Sequence, residues 1–193
     1  MGSVNLRFLA SLTRPRAGAL ALLRRDRRGV VAIEFGVIAL PFFALLVAIF
    51  EIGLVYVAQN ELETAVELSA RQLLTGQGQQ NNLTQAQFLS SVCSNLPAFF
   101  TCSGVMADIQ QSASFSSANT SAPSLTYNAQ GQVTNTWSFS AGTAGSIVVV
   151  RVFYQFPVIP GPLSLSLANL SNGTRLLLAT SVFQVEPYQP AGG

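Results

Sequence analysis

Between Val30 and Ala58 almost every position is apolar, and only Glu34 and Glu51 carry charge. Phe35–Ala58 spans 24 positions, about 36 Å of helix at ~1.5 Å per residue, against a bilayer core of about 30 Å. The pattern predicts one transmembrane helix over residues 30–58. Past Ala58 the apolar positions thin to a helical period. Leu62, Val66 and Leu73, with the small Ala65, Ser69 and Ala70, mark one face, and Glu67 and Arg71 lie i,i+4 on the polar side. An amphipathic extension over residues 59–76 is expected, with Gly76 as its stop. An unbroken helix from Val30 to Leu74 would be about 67 Å long.

Beyond Gly76 the periods shorten. GQGQQNN reads as a polar loop, and Thr84-Gln-Ala-Gln87 reads as a capping box opening a short helix that ends by Pro97. From Val105 the chain alternates in strand fashion. Strands are expected at Val105–Phe115, Ser124–Tyr127, Val133–Phe139, Ser146–Phe156 and Thr174–Val185, the fourth being central because both of its faces are apolar. Asn128–Gly131, Gly142–Gly145 and Asn172-Gly173 supply turn signals. Ser116–Pro123 reads as an exposed loop, and Pro157–Leu167, with three prolines, as a loop suited to partner contacts. Trp137 and Phe139 alternate on one strand and read as core. The expected fold is α+β and pilin-like: a long N-terminal helix, half transmembrane and half amphipathic, packed on a small antiparallel sheet. A basic leader (1–29) precedes it, and the extracytoplasmic α+β domain occupies residues 77–193.

Charge adds an orientation. Residues 1–28 hold seven arginines and one acid, Asp26, a net charge of +6, whereas residues 29–193 hold three arginines and seven acids, a net charge of −4. Four arginines crowd the five residues before Gly29, which places the leader on the cytoplasmic side and the remainder across the membrane. A nucleic-acid partner would need a basic folded domain, and this domain is mildly acidic. A cleaved secretory signal fits poorly, since the apolar run is long and lacks an A-x-A end.

The chain has no histidine and no lysine, and no GxGxxG or GxSxG run. Ser-His and Cys-His nucleophiles, His-dependent zinc sites, Schiff bases and P-loop lysines are thereby excluded, and neither an enzyme nor a cofactor or metal site is expected. Cys93 and Cys102 are the only cysteines. Both fall on the oxidising side, where a disulfide would contribute about 2.5–3 kcal/mol; two free core thiols are the alternative.

Glu34 needs an explanation so close to the start of an apolar span. It can snorkel to the headgroups beside Arg27 or Arg28, or it can meet a positive charge made later. A cut after Gly29 would create such a charge on Val30, four residues before Glu34. A neighbouring helix shifted along the axis could set its own ammonium against this carboxylate, and a buried ion pair of that kind is a device for fixing register.

The run RRDRR-G-VVAIEF resembles the processing site of prepilins, with a basic leader, glycine at the cut and glutamate at the fifth mature position. Glu34-Phe35, the mid-span Leu40-Pro41, the second acid before glycine (Glu51, Gly53) and Ser69-Ala70-Arg71 together resemble the TadE-like family over about Gly29–Leu74. Phe183-Gln-Val-Glu-Pro-Tyr188 is similar to the Asn-Glu-Pro-aromatic ending of such proteins, with Val185 in place of the Asn. The resemblance implies a pseudopilin of the Tad/Flp pilus, cut between Gly29 and Val30 by a prepilin peptidase. It further implies helix packing through Glu34, Pro41, Glu51 and Gly53. The implied partners are a TadF-type pseudopilin, the Flp major pilin and the inner-membrane assembly platform. An unprocessed, membrane-anchored periplasmic adaptor is the alternative role.

Overall fold

The structure, a computed structural model, describes residues 29–159, 161 and 166–188. The arginine leader, most of the proline-rich run after Pro157 and the last five residues lie outside the described residues. The chain divides into two units, one ending at Leu45 and one beginning at Leu46. Helix α1 (Val30–Leu74) contributes to both and is unbroken at Pro41.

In the first unit, the described residues are nearly all solvent-facing. Val31, Ile33, Phe35, Val37, Ile38 and Leu40 are each about 70% exposed, although all are large and apolar. Helical geometry satisfies the backbone internally, so such a surface is stable once lipid or other helices replace water.

The second unit has its own core. α1 is followed by a single turn, α2 (Gln77–Gln80), in the stretch expected to be a polar loop, and by α3 (Gln85–Ser94). The expected capping box is present at the start of α3: Thr84 Oγ1 accepts from Gln87 N, and Gln87 Oε1 accepts from Thr84 N at 2.9 Å. Strands β1 (Val105–Ser112), β2 (Ile147–Pro157) and β3 (Thr174–Gln184) form one antiparallel sheet in the order β1-β2-β3. As the apolar pattern of residues 146–156 requires, β2 is central, with Asp108 opposite Arg151 and Arg151 opposite Thr180. The fold is α+β, a long N-terminal helix packed on a three-stranded antiparallel sheet.

One face of the sheet packs on α1. Val55, Ala58, Leu62, Ala65, Val66, Ala70 and Leu73 are buried there with Ala107, Ile109, Val148, Val150, Val152, Leu177 and Ala179. Ser69 fits the same stripe because its hydroxyl donates back to Ala65 O at 2.8 Å. The stripe read from the sequence is therefore the packed one. Glu67 and Arg71 stay exposed and form no ion pair; among the described residues the ion pair is Asp108–Arg151.

Two expected strands are absent. Ser124–Tyr127 and Val133–Phe139 form only isolated bridges, Tyr127 to Val133 and Phe139 to Ile109. The first is a small turn closed by Asn128 N to Gln132 O at 3.0 Å. The second is a brief parallel addition to the outer edge of β1, through Ile109 N to Ser138 O and Ser140 N to Ile109 O. β1 also ends earlier than expected, at Ser112, with a 3-10 turn at Phe115–Ser117. The serine hydroxyls of this stretch bond one another and the local backbone, which competes with a ladder.

Candidate functional site

The segment singled out for processing opens α1. Gly29 precedes the first helical residue, Val30, and a side chain added at Gly29 would meet nothing within 4 Å. Val30, Val31, Glu34 and Phe35 are all exposed. In a chain beginning at Val30 the first N–H groups of the helix would have no intrahelical acceptor, and this end would carry the positive pole of the helix dipole. Glu34 lies one turn beyond Val30, on the same side of the helix. The Gly29–Val30 bond and the carboxylate are thus both accessible to a second protein. Pro41 and Gly53 are exposed as well, and Gly53, like Gly36, has open space around its Cα. Such bare positions allow another backbone to approach closely.

Glu51 differs from the other residues of this set. It is half-buried, and its Oε1 accepts a hydrogen bond from Ile159 N at 2.9 Å. The structure therefore brings Glu51 to the connection after β2, 108 residues away in sequence. A cleft of about 280 Å³ opens beside it, lined by Ile52, Val55, Tyr56, Leu167, Arg175 and Leu177 among others.

At its far end α1 is closed by the C-terminal tail. Gly76 takes φ +74°, the left-handed conformation that ends a helix, and its N–H donates to Leu73 O at 3.3 Å. Leu74 O accepts from Glu186 N at 2.8 Å, and Leu73 O also accepts from Gln79 Nε2 at 3.0 Å. Val185 is buried, and the Tyr188 ring lies where a Gly76 side chain would be. The Val-Glu-Pro-Tyr ending thus satisfies a carbonyl of the last turn of α1 and covers its terminal glycine.

Cys93 and Cys102 are joined in a disulfide with Cα atoms 5.7 Å apart, tying the end of α3 to the approach to β1. Phe100, between them, stacks edge-on against Tyr154 of β2 at 4.8 Å. No group of three or more histidine, cysteine, aspartate or glutamate side chains is placed to hold a metal among the described residues.

Sequence reasoning did not single out the buried pair on the other face of the sheet. Asp108 and Arg151, both over nine-tenths buried, form a salt bridge across β1 and β2. Asp108 Oδ1 also accepts from Ser138 N at 2.9 Å, and Arg151 Nη1 donates to Ser121 O at 3.1 Å. Trp137 then stacks on Phe153 at 5.0 Å. The signal was present: one acid and one base, each alone within an apolar strand. Their role is to hold the long β1–β2 connection against the sheet.

A family model described as TadE-like protein matches residues 29–71. This segment covers under a quarter of the chain, begins at the glycine before α1 and ends at Arg71, so the resemblance carried by Glu34-Phe35, Leu40-Pro41, Glu51 and Ser69-Ala70-Arg71 is a match to that family. It points to a protein associated with the Tad pilus. No curated protein and no solved structure gives a significant match. Among the described residues, α1 is the one helix long and apolar enough to cross a membrane, and its apolar window is almost wholly exposed, unlike the core helix of a soluble protein.

Proposed function

We propose that this protein is a TadE-type pseudopilin, a minor pilin needed to assemble Tad/Flp pili, with a non-catalytic role exerted through helix packing. The observation that carries the reading is the TadE-like match, which starts at Gly29 and runs along a helix most of whose large apolar residues from Val30 to Leu54 are exposed. In this reading residues 1–28 lie in the cytoplasm, α1 anchors the chain in the bacterial inner membrane, and the sheet domain stands in the periplasm. Prepilin peptidase cuts between Gly29 and Val30. The ammonium released on Val30 sits at a helix N-terminus, and the Glu34 carboxylate of a neighbouring subunit pairs with it as both leave lipid for an apolar bundle. The ion pair then fixes the axial offset between subunits, because any other offset leaves a carboxylate unpaired in an apolar medium. A TadF-type pseudopilin, the Flp major pilin and the assembly platform are the neighbours this arrangement serves.

The test is the intact mass and N-terminal sequence of the protein made with and without its prepilin peptidase. A mature chain starting at Val30, abolished by Gly29→Ala, is expected. A leader that stays attached in the presence of the peptidase overturns maturation, and the chain is then a permanent periplasmic adaptor on a membrane anchor.

A further inference from the structure

The hydrogen bond from Ile159 N to Glu51 fixes the depth of Ile159, just after β2, relative to the membrane helix. The exposed apolar surface of α1 continues up to Tyr56 and Val57, and the polar face begins with Gln59 and Asn60. Glu51 lies five residues below Tyr56, about 7 Å along the axis at ~1.5 Å per residue. Ile159, whose backbone is held at this level, is 70% exposed. Its neighbour Val158 turns inward and packs on the core. An isoleucine that far below the end of an apolar helix surface does not face water if the helix is in a bilayer.

The chemistry around it suits lipid. No charged residue occurs in sequence between Arg151 and Arg175, and Pro157 brings no N–H that would need an acceptor. The N–H of Ile159 does need one at that depth, where an unsatisfied backbone donor costs several kcal/mol, and Glu51 supplies it. Just above, Tyr56 and Arg175 line the adjoining cleft and offer an amphipathic ring and a cation at headgroup level.

We infer that Ile159, at the start of the connection after β2, makes a second membrane contact. Glu51 clamps the Ile159 backbone to α1 so that the Ile159 side chain enters the boundary between headgroups and acyl chains, on the side of the sheet domain. Monotopic segments enter to about 5–10 Å, the depth this geometry sets. Glu51 in this role is a positioning residue within its own chain, whatever Glu34 does between chains. The inference rests on α1 spanning the membrane but not on leader cleavage.

The experiment uses the full chain carrying Ile159→Cys labelled with an environment-sensitive nitrobenzoxadiazole probe; the native cysteines are shielded in their disulfide. The protein is placed in vesicles of phosphatidylcholine and phosphatidylglycerol containing nitroxide lipids. Phe43→Cys reports the span and Ala129→Cys reports water. The expected result is a blue-shifted probe at 159, quenched most by a nitroxide high on the acyl chain. Quenching should persist in Glu51→Gln, which keeps an acceptor, and be lost in Glu51→Ala. A lipid signal at 43 with a water signal at 159 overturns the inference, whereas water signals at both sites overturn the membrane span itself. Quenching at 159 that survives Glu51→Ala removes the clamp. A blue shift that vanishes as protein is diluted in lipid assigns the contact to a second copy and overturns the lipid contact.

Discussion

At the scale of single residues, the pair Asp108–Arg151 has the sharpest consequence. Both side chains are buried, and each also bonds the connection that covers them, through Ser138 and Ser121. Removing one partner leaves a buried, uncompensated charge, which costs about 3–5 kcal/mol. Asp108→Ala in detergent-solubilised protein should therefore unfold at markedly lower urea, with Trp137 emission moving to the red as its segment leaves Phe153. Replacing both residues together, by leucine and methionine, should recover much of the loss, since no charge is then stranded. Equal midpoints for Asp108→Ala and the parent protein would mean that the pair does not hold the connection. Glu34, by contrast, has no such effect to lose within one chain, because it is exposed there. In the proposed reading its consequence belongs to assembly, and a stability measurement on the isolated protein should not register its replacement.

Elements differ in how far the sequence announces them, and the difference has a physical cause. The packed stripe of α1 from Ala58 to Leu73 is legible because a 3.6-residue period and small residues at the contact line follow from one helix lying on one sheet. β2 is legible because burial on both faces removes polar residues from both. The capping box at Thr84–Gln87 is legible because its two bonds are local. Trp137 and Phe139 alternate as a strand does, yet their segment meets β1 at one bridge only, and alternation counts faces rather than hydrogen-bonded partners. The site divides along the same line. Gly29, Glu34 and Phe35 are set by position along a single helix, so pattern and resemblance can name them as candidates. The partner of Glu51 lies 108 residues away and is set by the path of a loop, so no local pattern names it. Local and long-range contacts also separate in stability. Leu62 is fully buried under the sheet, and Leu62→Ala should cost about 2–5 kcal/mol by opening a cavity. Thr84→Ala should cost only about 1 kcal/mol through the lost cap. Urea unfolding of the two variants side by side checks the order, and a larger loss at Thr84 would contradict the packing described here.

For the whole molecule, the division at Leu45/Leu46 separates two kinds of surface. Among the described residues the contiguous core begins at Val55, with only the small Ala44 and Ala48 buried before it, and most of the exposed large apolar residues lie between Val30 and Val57. In the proposed reading stability and assembly therefore draw on different parts of one helix: the sheet domain packs on α1 from Val55 onward and bonds it at Glu51, and filament or lipid neighbours would meet the apolar part before it. A subunit built this way would exchange lipid for other helices without reopening its core. It predicts that a chain beginning at Leu46 keeps the Cys93–Cys102 disulfide and unfolds at the same urea concentration as the full chain in the same detergent. The truncated chain should still require detergent, because Val47, Ile49, Phe50, Ile52 and Leu54 remain exposed. A chain beginning at Gln59 should behave differently, since it loses Val55 and Ala58 from the core and the Glu51–Ile159 bond. It should be more soluble and less stable than either. Comparison of the three by urea titration and by recovery after detergent removal decides the point. If the chain from Leu46 is already destabilised, the first 45 residues contribute to folding, and leader processing and subunit packing would then act on the stability of the sheet domain as well as on its anchoring.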